Sequence, residues 1–268
     1  MTIEIRDRQG RLLYRRETGN AQALLEEAVE QRVRLDDVDL AGIHTREIVL
    51  PGASFVASSL AGADLRKATM RTADLRTAIL DGALLDDADL SDALVVRASL
   101  VEAKLCNAKL AGAVLEAAVF ARADLTAASL AEADARRATF DGATLDDADL
   151  EGAVCTRASF VKASLVRVRA RRIDLANAIL DDAVLTGADL ANATLTGASA
   201  ARVDLRGANL SGADLKNVDF TGADLRDASF ARANVEGMRV TGARLDGARL
   251  DRVRGEMVRD VGGRGPYR

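Results

Sequence analysis

From Leu35 to Leu250 the chain keeps a strict five-residue period. Stepping in fives reaches 44 positions, of which 39 are Leu, Phe, Met or Val; the exceptions are Thr45, Ala135, Cys155, Ala170 and Ala200. Two residues before each of these centres, 34 of the 44 positions are Ala, and every Gly in the tract falls two residues after a centre, as at Gly42, Gly82, Gly142, Gly187 and Gly247. No insertion or deletion breaks the register. An α-helix turns every ~3.6 residues, so a period of five cannot hold one apolar stripe on it, and a helical reading of this Leu- and Ala-rich tract fails. In an extended chain, Ala-x-Leu places two side chains on one face and the residue between them on the other. The next two residues are polar or Gly and turn the chain, and Gly in the second place suits a positive φ. Each unit is therefore one short side and one corner. Sides close into coils, and coils stack through backbone hydrogen bonds about 4.8 Å apart.

Composition agrees with a narrow core. Hydrophobic residues make up 49% of the chain, yet aromatics are 3% and Trp is absent, so small side chains must fill the interior. All six Phe (Phe55, Phe120, Phe140, Phe160, Phe220 and Phe230) are centres. Phe120, Phe140 and Phe160 are spaced by 20, as Phe220 is from Ala200, which predicts four sides per coil and aromatics stacked on one face. About 11 such coils make an all-β solenoid roughly 50 Å long.

Units such as Ala63-Asp64-Leu65-Arg66-Lys67, Ala188-Asp189-Leu190-Ala191-Asn192 and Ala208-Asn209-Leu210-Ser211-Gly212 resemble the pentapeptide-repeat family, whose consensus is A(D/N)LXX. The resemblance extends over about four-fifths of the chain. It implies a right-handed quadrilateral β-helix over 35–252.

The ends read differently. Thr2–Ile5 and Arg11–Tyr14, separated by Asp7-Arg8-Gln9-Gly10, predict a β-hairpin. Asn20 predicts the start of a helix running to about Val33, with Leu24, Leu25, Ala28 and Val29 on one face, Glu26 and Glu27 nearer its start, and Arg32 and Arg34 near its end. Residues 1–34 are thus expected to cap the solenoid, whose open coil would otherwise expose core and unpaired backbone. Val33, Val38, Ile43 and Ile48 replace Ala in four successive units, which points to wider first coils. Residues 253–268 form a C-terminal cap or tail; Val253, Met257, Val258 and Val261 are candidates to close the last coil or to meet a second subunit. Gyrase-binding members of the family dimerise through their C-terminal ends, and the resemblance implies a homodimer here.

Nothing in the chain assembles reactive chemistry. The lone His44 faces outward, Cys106 sits at a corner and Cys155 is a centre, so neither a disulfide, a metal site nor a nucleophile–base pair is expected, and no cofactor. An enzyme would have to work through His44 or Cys106. The Met1–Arg6 start lacks an apolar run and no stretch approaches the ~18 apolar residues of a membrane span, so a cytoplasmic protein without membrane contact is expected. With 37 basic and 41 acidic residues, direct nucleic-acid binding is not expected.

Charge is banded. The repeat tract carries −7, against +1 for residues 1–34 and +2 for residues 251–268. Asp86, Asp87, Asp89 and Asp92 form one acidic band; Asp146, Asp147, Asp149 and Glu151 repeat it three coils on, at the same corner. The following coil carries Arg157, Lys162, Arg167 and Arg172 at one corner position on all four sides, with Arg169 and Arg171 beside them, as a basic ring. Topoisomerase-binding members of the family present carboxylates where DNA phosphates would lie. The resemblance implies a DNA-mimicking partner of gyrase or topoisomerase IV that protects it from an antibiotic, with the acidic bands as contacts. Two features depart from that pattern. Arg66, Lys67, Lys109 and the basic ring interrupt the acid, and the loops of quinolone-protecting members are absent. The alternative is a scaffold module that binds another protein through the basic ring or a rod end.

Overall fold

The structure, a computed structural model, describes residues 3–17 and 19–258. Parallel bridges join each residue just before a centre to its equivalent 20 residues on, from Asp39–Ser59 through Asp64–Leu84 to Asn234–Arg254. Four five-residue sides therefore make one coil. We name the faces by their centres: A holds Leu40, Leu60 and Leu80, B holds Thr45 and Leu65, C holds Leu50 and Met70, and D holds Leu35 and Phe55. The hydrogen bonds repeat from coil to coil. Leu65 N donates to Leu84 O (2.8 Å), Lys67 N to Asp86 O (2.9 Å) and Asp64 N to Ile43 O (2.8 Å), while Ala68 N closes the corner onto Leu65 O (3.0 Å).

Every centre and its preceding Ala point inward, and together they form one continuous core. All six Phe are fully buried. Phe120, Phe140 and Phe160 stack with centroids 5.1 and 4.8 Å apart and planes within 9° of parallel, the aromatic column that the 20-residue spacing predicts. The second corner residue is left-handed throughout, whether Gly (Gly82, φ 65°) or not (Arg167, φ 55°). Pro51 stands at a first corner position, the one place in the unit whose N–H has no role in the ladder, so its missing donor forfeits nothing.

Ahead of the coils lie β1 (Ile3–Arg6), β2 (Leu12–Arg16) and α1 (Ala21–Glu30). The strands pair antiparallel with a bulge between Ile5 and Arg6. Arg11, expected in the second strand, belongs to the turn instead, because the Asp7 carboxylate accepts from both Gln9 N (3.1 Å) and Arg11 N (2.8 Å). Asn20 caps α1 by accepting from Ala23 N at 2.9 Å, as its side chain predicts. The helix stops at Glu30 rather than Val33. Arg32 turns left-handed (φ 58°), and Arg32 N and Val33 N fold back onto Val29 O and Ala28 O in a Schellman closure. The last turn of α1 therefore holds no base; its first turn, Ala21 to Leu24, holds no acid either, and the expected match of charges to the helix dipole is not present. Leu24, Leu25 and Ala28 join the core of the coils, and Arg8 N donates to Asp37 O (2.9 Å). Among the replacements for Ala at the first coils, Val38 and Ile48 are buried, whereas Val33 and Ile43 are only partly so. Val261 and the tail beyond it lie outside the described residues.

Candidate functional site

The surface chemistry of the rod is set by one recurrent need. Of the five N–H groups in a unit, the first corner amide finds no backbone acceptor. Aspartate supplies one in two ways. The residue just before the centre accepts from the amide two positions on, as Asp89 does from Ser91 N (3.0 Å), Asp149 from Glu151 N (3.0 Å) and Asp174 from Ala176 N (2.9 Å). Alternatively, a corner Asp accepts from the amide one coil on: Asp81 from Val101 N (2.9 Å), Asp86 from Cys106 N (3.0 Å), Asp146 from Val166 N (3.0 Å). A donor left bare at a turn is costly, so the Asp of the repeat is a backbone cap before it is a surface charge. Five Asp-x-Arg units add a guanidinium that brackets the same carboxylate: Asp64 with Arg66, Asp74 with Arg76, Asp134 with Arg136, Asp204 with Arg206 and Asp224 with Arg226. The Arg226 hydrogen bonds outweigh burial and hold the Asp224 carboxyl down at about 2.

The two acidic bands occupy equivalent corners and differ in what stacks on them. In the second, Arg167 Nε donates to Asp147 Oδ1 at 2.7 Å, Arg169 reaches Asp149 at 3.2 Å, and Arg172 reaches Glu151 at 3.1 Å and Glu132 at 3.8 Å. The hydrogen bonds from Arg167 hold the Asp147 carboxyl below the usual range. Much of the basic ring is thus the other half of this band. Arg171 turns the opposite way, to Asp189 (3.6 Å), and Arg157 and Lys162 have no ion-pair partner among the described residues. In the first band, the next coil places Cys106 and Asn107 over Asp86 and Asp87. Asp89 and Asp92 lie 3.7 and 3.5 Å from Arg71. Burial works against the Asp89 charge, but Ser91 and Arg71 outweigh it and lower its pKa. Asp86 and Asp87 have no ion-pair partner among the described residues; Asp86 is half-buried with one oxygen on Cys106 N, and Asp87 is exposed.

Cys106 and Cys155 lie in surroundings that disfavour the thiolate. Both are free; burial pushes the Cys155 thiol up to about 12, and burial with Asp124 and Asp86 beside it does the same to Cys106. Among the described residues no His, Cys, Asp and Glu group has the arrangement of a metal site, and no helix is long and apolar enough to cross a membrane. At the C-terminal end, Leu245, Leu250, Val253 and Met257 are only partly buried, and Val258 is half exposed.

Comparison with known proteins follows the repeat. The family model for pentapeptide repeats matches in 8 copies over residues 34–71, 98–134, 118–154, 138–177, 163–207 and 208–247. Among solved structures, the chain is similar to HetL, a pentapeptide repeat protein involved in heterocyst differentiation regulation from the cyanobacterium Nostoc, with 30% identity, 80% of this chain and 87% of that chain covered, and a TM-score of 0.56. It is also similar to Rfr23 from the cyanobacterium Cyanothece, at 27% identity over 38% of this chain and 64% of that one, with a TM-score of 0.27. The full-length QnrB1, a plasmid-mediated fluoroquinolone resistance protein, matches at 17% identity over 78% and 93% of the two chains, with a TM-score of 0.37. No curated protein sequence matches the chain. The unbroken ladder of 20-residue coils, its Ala-x-Leu interior and the extent of the family match together make this chain a member of the pentapeptide-repeat family, with that family's right-handed quadrilateral β-helix.

Proposed function

We propose that the chain is a non-catalytic rod that binds another protein in the cytoplasm, and that its partner is DNA gyrase or topoisomerase IV, engaged by DNA mimicry and thereby protected from an antibiotic. The observation that carries this reading is the pair Asp86 and Asp87, without an ion-pair partner among the described residues and with Asp86 fixed by Cys106 N, on a rigid surface whose repeat tract has a net charge of −7. Fixed carboxylates on a narrow rod offer a DNA-binding groove the charge it is built to receive. The filled interior leaves no room for a substrate, and both thiols are held protonated. Purified protein is expected to restore gyrase supercoiling in the presence of a topoisomerase poison. Asp86→Ala with Asp87→Ala should weaken this most, and Asp146→Ala with Asp147→Ala less, since Arg167 already engages that band. No effect of micromolar protein on either enzyme overturns the reading.

HetL favours a second reading, because it is a family member at 30% identity whose role is regulatory. In that case the rod is a scaffold for a different protein, and a pull-down from the native host would return a partner that is no topoisomerase. In either reading the hairpin and α1 serve as the cap of one end. The partly exposed Leu245, Leu250, Val253 and Met257 at the other end support a homodimer through the C-terminal coil. A monomer in sedimentation at micromolar concentration would exclude it.

A further inference from the structure

The corner between faces C and D carries a notch that neither acidic band explains. Its first corner residues, in five consecutive coils, are Arg171, Ala191, Ser211, Ala231 and Asp251. Three small residues between bulkier neighbours leave a depression of about 770 Å³. Its length, four coil spacings, is about 19 Å, enough for some five or six residues of extended peptide. Gly212 shapes the floor. The Asn192 carboxamide lies where a side chain at 212 would project, 2.5 Å from the place of its Cβ. Asn209 is fixed beside it, donating to Asp189 (2.9 Å) and accepting from Ser211 N (3.1 Å).

The walls are cationic. Arg171 stands at one end, and Arg249 and Arg252 at the other, with Arg232 between; the single carboxylate in the lining, Asp251, accepts from Arg249 at 3.3 Å, so four guanidinium groups outnumber it. Most arginines of the rod lie against a carboxylate, yet Arg232 and Arg252 have no ion-pair partner among the described residues, and Arg171 and Arg249 are held only at 3.6 and 3.3 Å. We propose that this notch is a docking site for a short, extended acidic segment of a partner protein, whose carboxylates pair with Arg232 and Arg252. Guanidinium groups favour carboxylates because the two planar groups can form paired hydrogen bonds. Nucleic acid is disfavoured on two grounds. The chain as a whole carries −4, so a polyanion longer than the notch meets repulsion beyond it. Every Phe of the rod is buried, so no aromatic ring is offered for base stacking. The site is separate from the Asp86–Asp87 corner and does not depend on a topoisomerase partner.

The test is fluorescence polarisation with a short labelled peptide of alternating Glu and Ser, against a Lys–Ser peptide and oligo-dT, at physiological salt. The full chain should bind the acidic probe only. Arg232→Glu with Arg252→Glu should weaken binding by about tenfold or more, an effect expected when paired charges are reversed. Ser211→Phe, which fills the notch without changing charge, should also weaken it, whereas Arg137→Glu on another corner should not. Arg137, Arg232 and Arg252 are exposed, and the corner of Ser211 holds Arg or Glu in other coils, at Arg71, Glu151 and Arg171, so circular dichroism should be unchanged. Absence of binding, equal loss in Arg137→Glu, retained affinity in Ser211→Phe, or preference for oligo-dT would each overturn the proposal.

Discussion

The corners at 86–92 and 146–151 begin with the same Asp-Asp-Ala-Asp-Leu run and occupy equivalent places three coils apart, yet they present different surfaces. At the second, Arg167, Arg169 and Arg172 fold its charge into the stack. At the first, the next coil brings Cys106 and Asn107 over Asp86 and Asp87, and neither carboxylate gains an ion-pair partner among the described residues. Local sequence therefore does not determine charge on this fold; the residue 20 positions later does. The same rule works inside, where it turns three well-separated Phe into one column. Surface and interior differ in consequence: a mismatched interior column leaves a hole, while a mismatched surface column leaves a binding feature.

The interior should show the largest effect. The coil of the second band has Phe140 at its face A centre, between Phe120 and Phe160, where the coil of the first band has Leu80. Phe140→Ala should cost about 3–5 kcal/mol in chemical denaturation, near the upper limit for a buried deletion. Acid should act next. The Asp224 carboxyl, paired with Arg226, has a folded pKa below the ordinary 3.8, so the stability that pair lends is complete above that value and is lost as pH falls toward about 2. Thermal melts between neutral pH and pH 2 should show the decline beginning only below about pH 4, and Arg226→Ala should make it shallower, because the Asp224 carboxyl then titrates nearer its unfolded value. A smaller effect is expected at the corner preceding the first band. Nothing lies within 4 Å of the Cβ site at Gly82, so Gly82→Ala pays only for its φ of 65°, about 1 kcal/mol by denaturation. Least in stability, and most direct for the comparison, is an exchange of the stacked residues. Arg167→Asn should raise the Asp147 titration toward the ordinary carboxylate range in carboxyl NMR, and Asn107→Arg should weaken gyrase protection by placing a guanidinium over Asp87, with melting temperatures unchanged because such pairs are solvent-exposed.

The period of five was enough to read the side and its corner, and the 20-residue spacing of the Phe added the four-sided coil and the aromatic column, because each follows from side-chain alternation and spacing alone. The purpose of the repeated Asp was not legible from the unit, since the amide it caps becomes bare only once the ladder has used the others. Nor was the link between acidic band and basic ring visible along the chain: Asp147 and Arg167 meet only when the sequence is written in rows of twenty. Val33 looked helical by its apolar spacing, but the left-handed Arg32 ended α1 earlier, a conformation that residue type does not advertise. The notch escaped for the opposite reason, its signal being the lack of bulk at Ala191, Ser211 and Ala231.

The unbroken register also limits how such a chain can change in length. Gain or loss of five residues would preserve the interior pattern while rotating everything downstream by a quarter turn. Asp146 and Asp147 would then move to a neighbouring edge, out of line with Asp86 and Asp87. Gain or loss of 20 would keep every column aligned and shift the far end by one coil spacing. The protein behaves as a ratchet with quarter-turn stops, in which length and facing direction are a single variable.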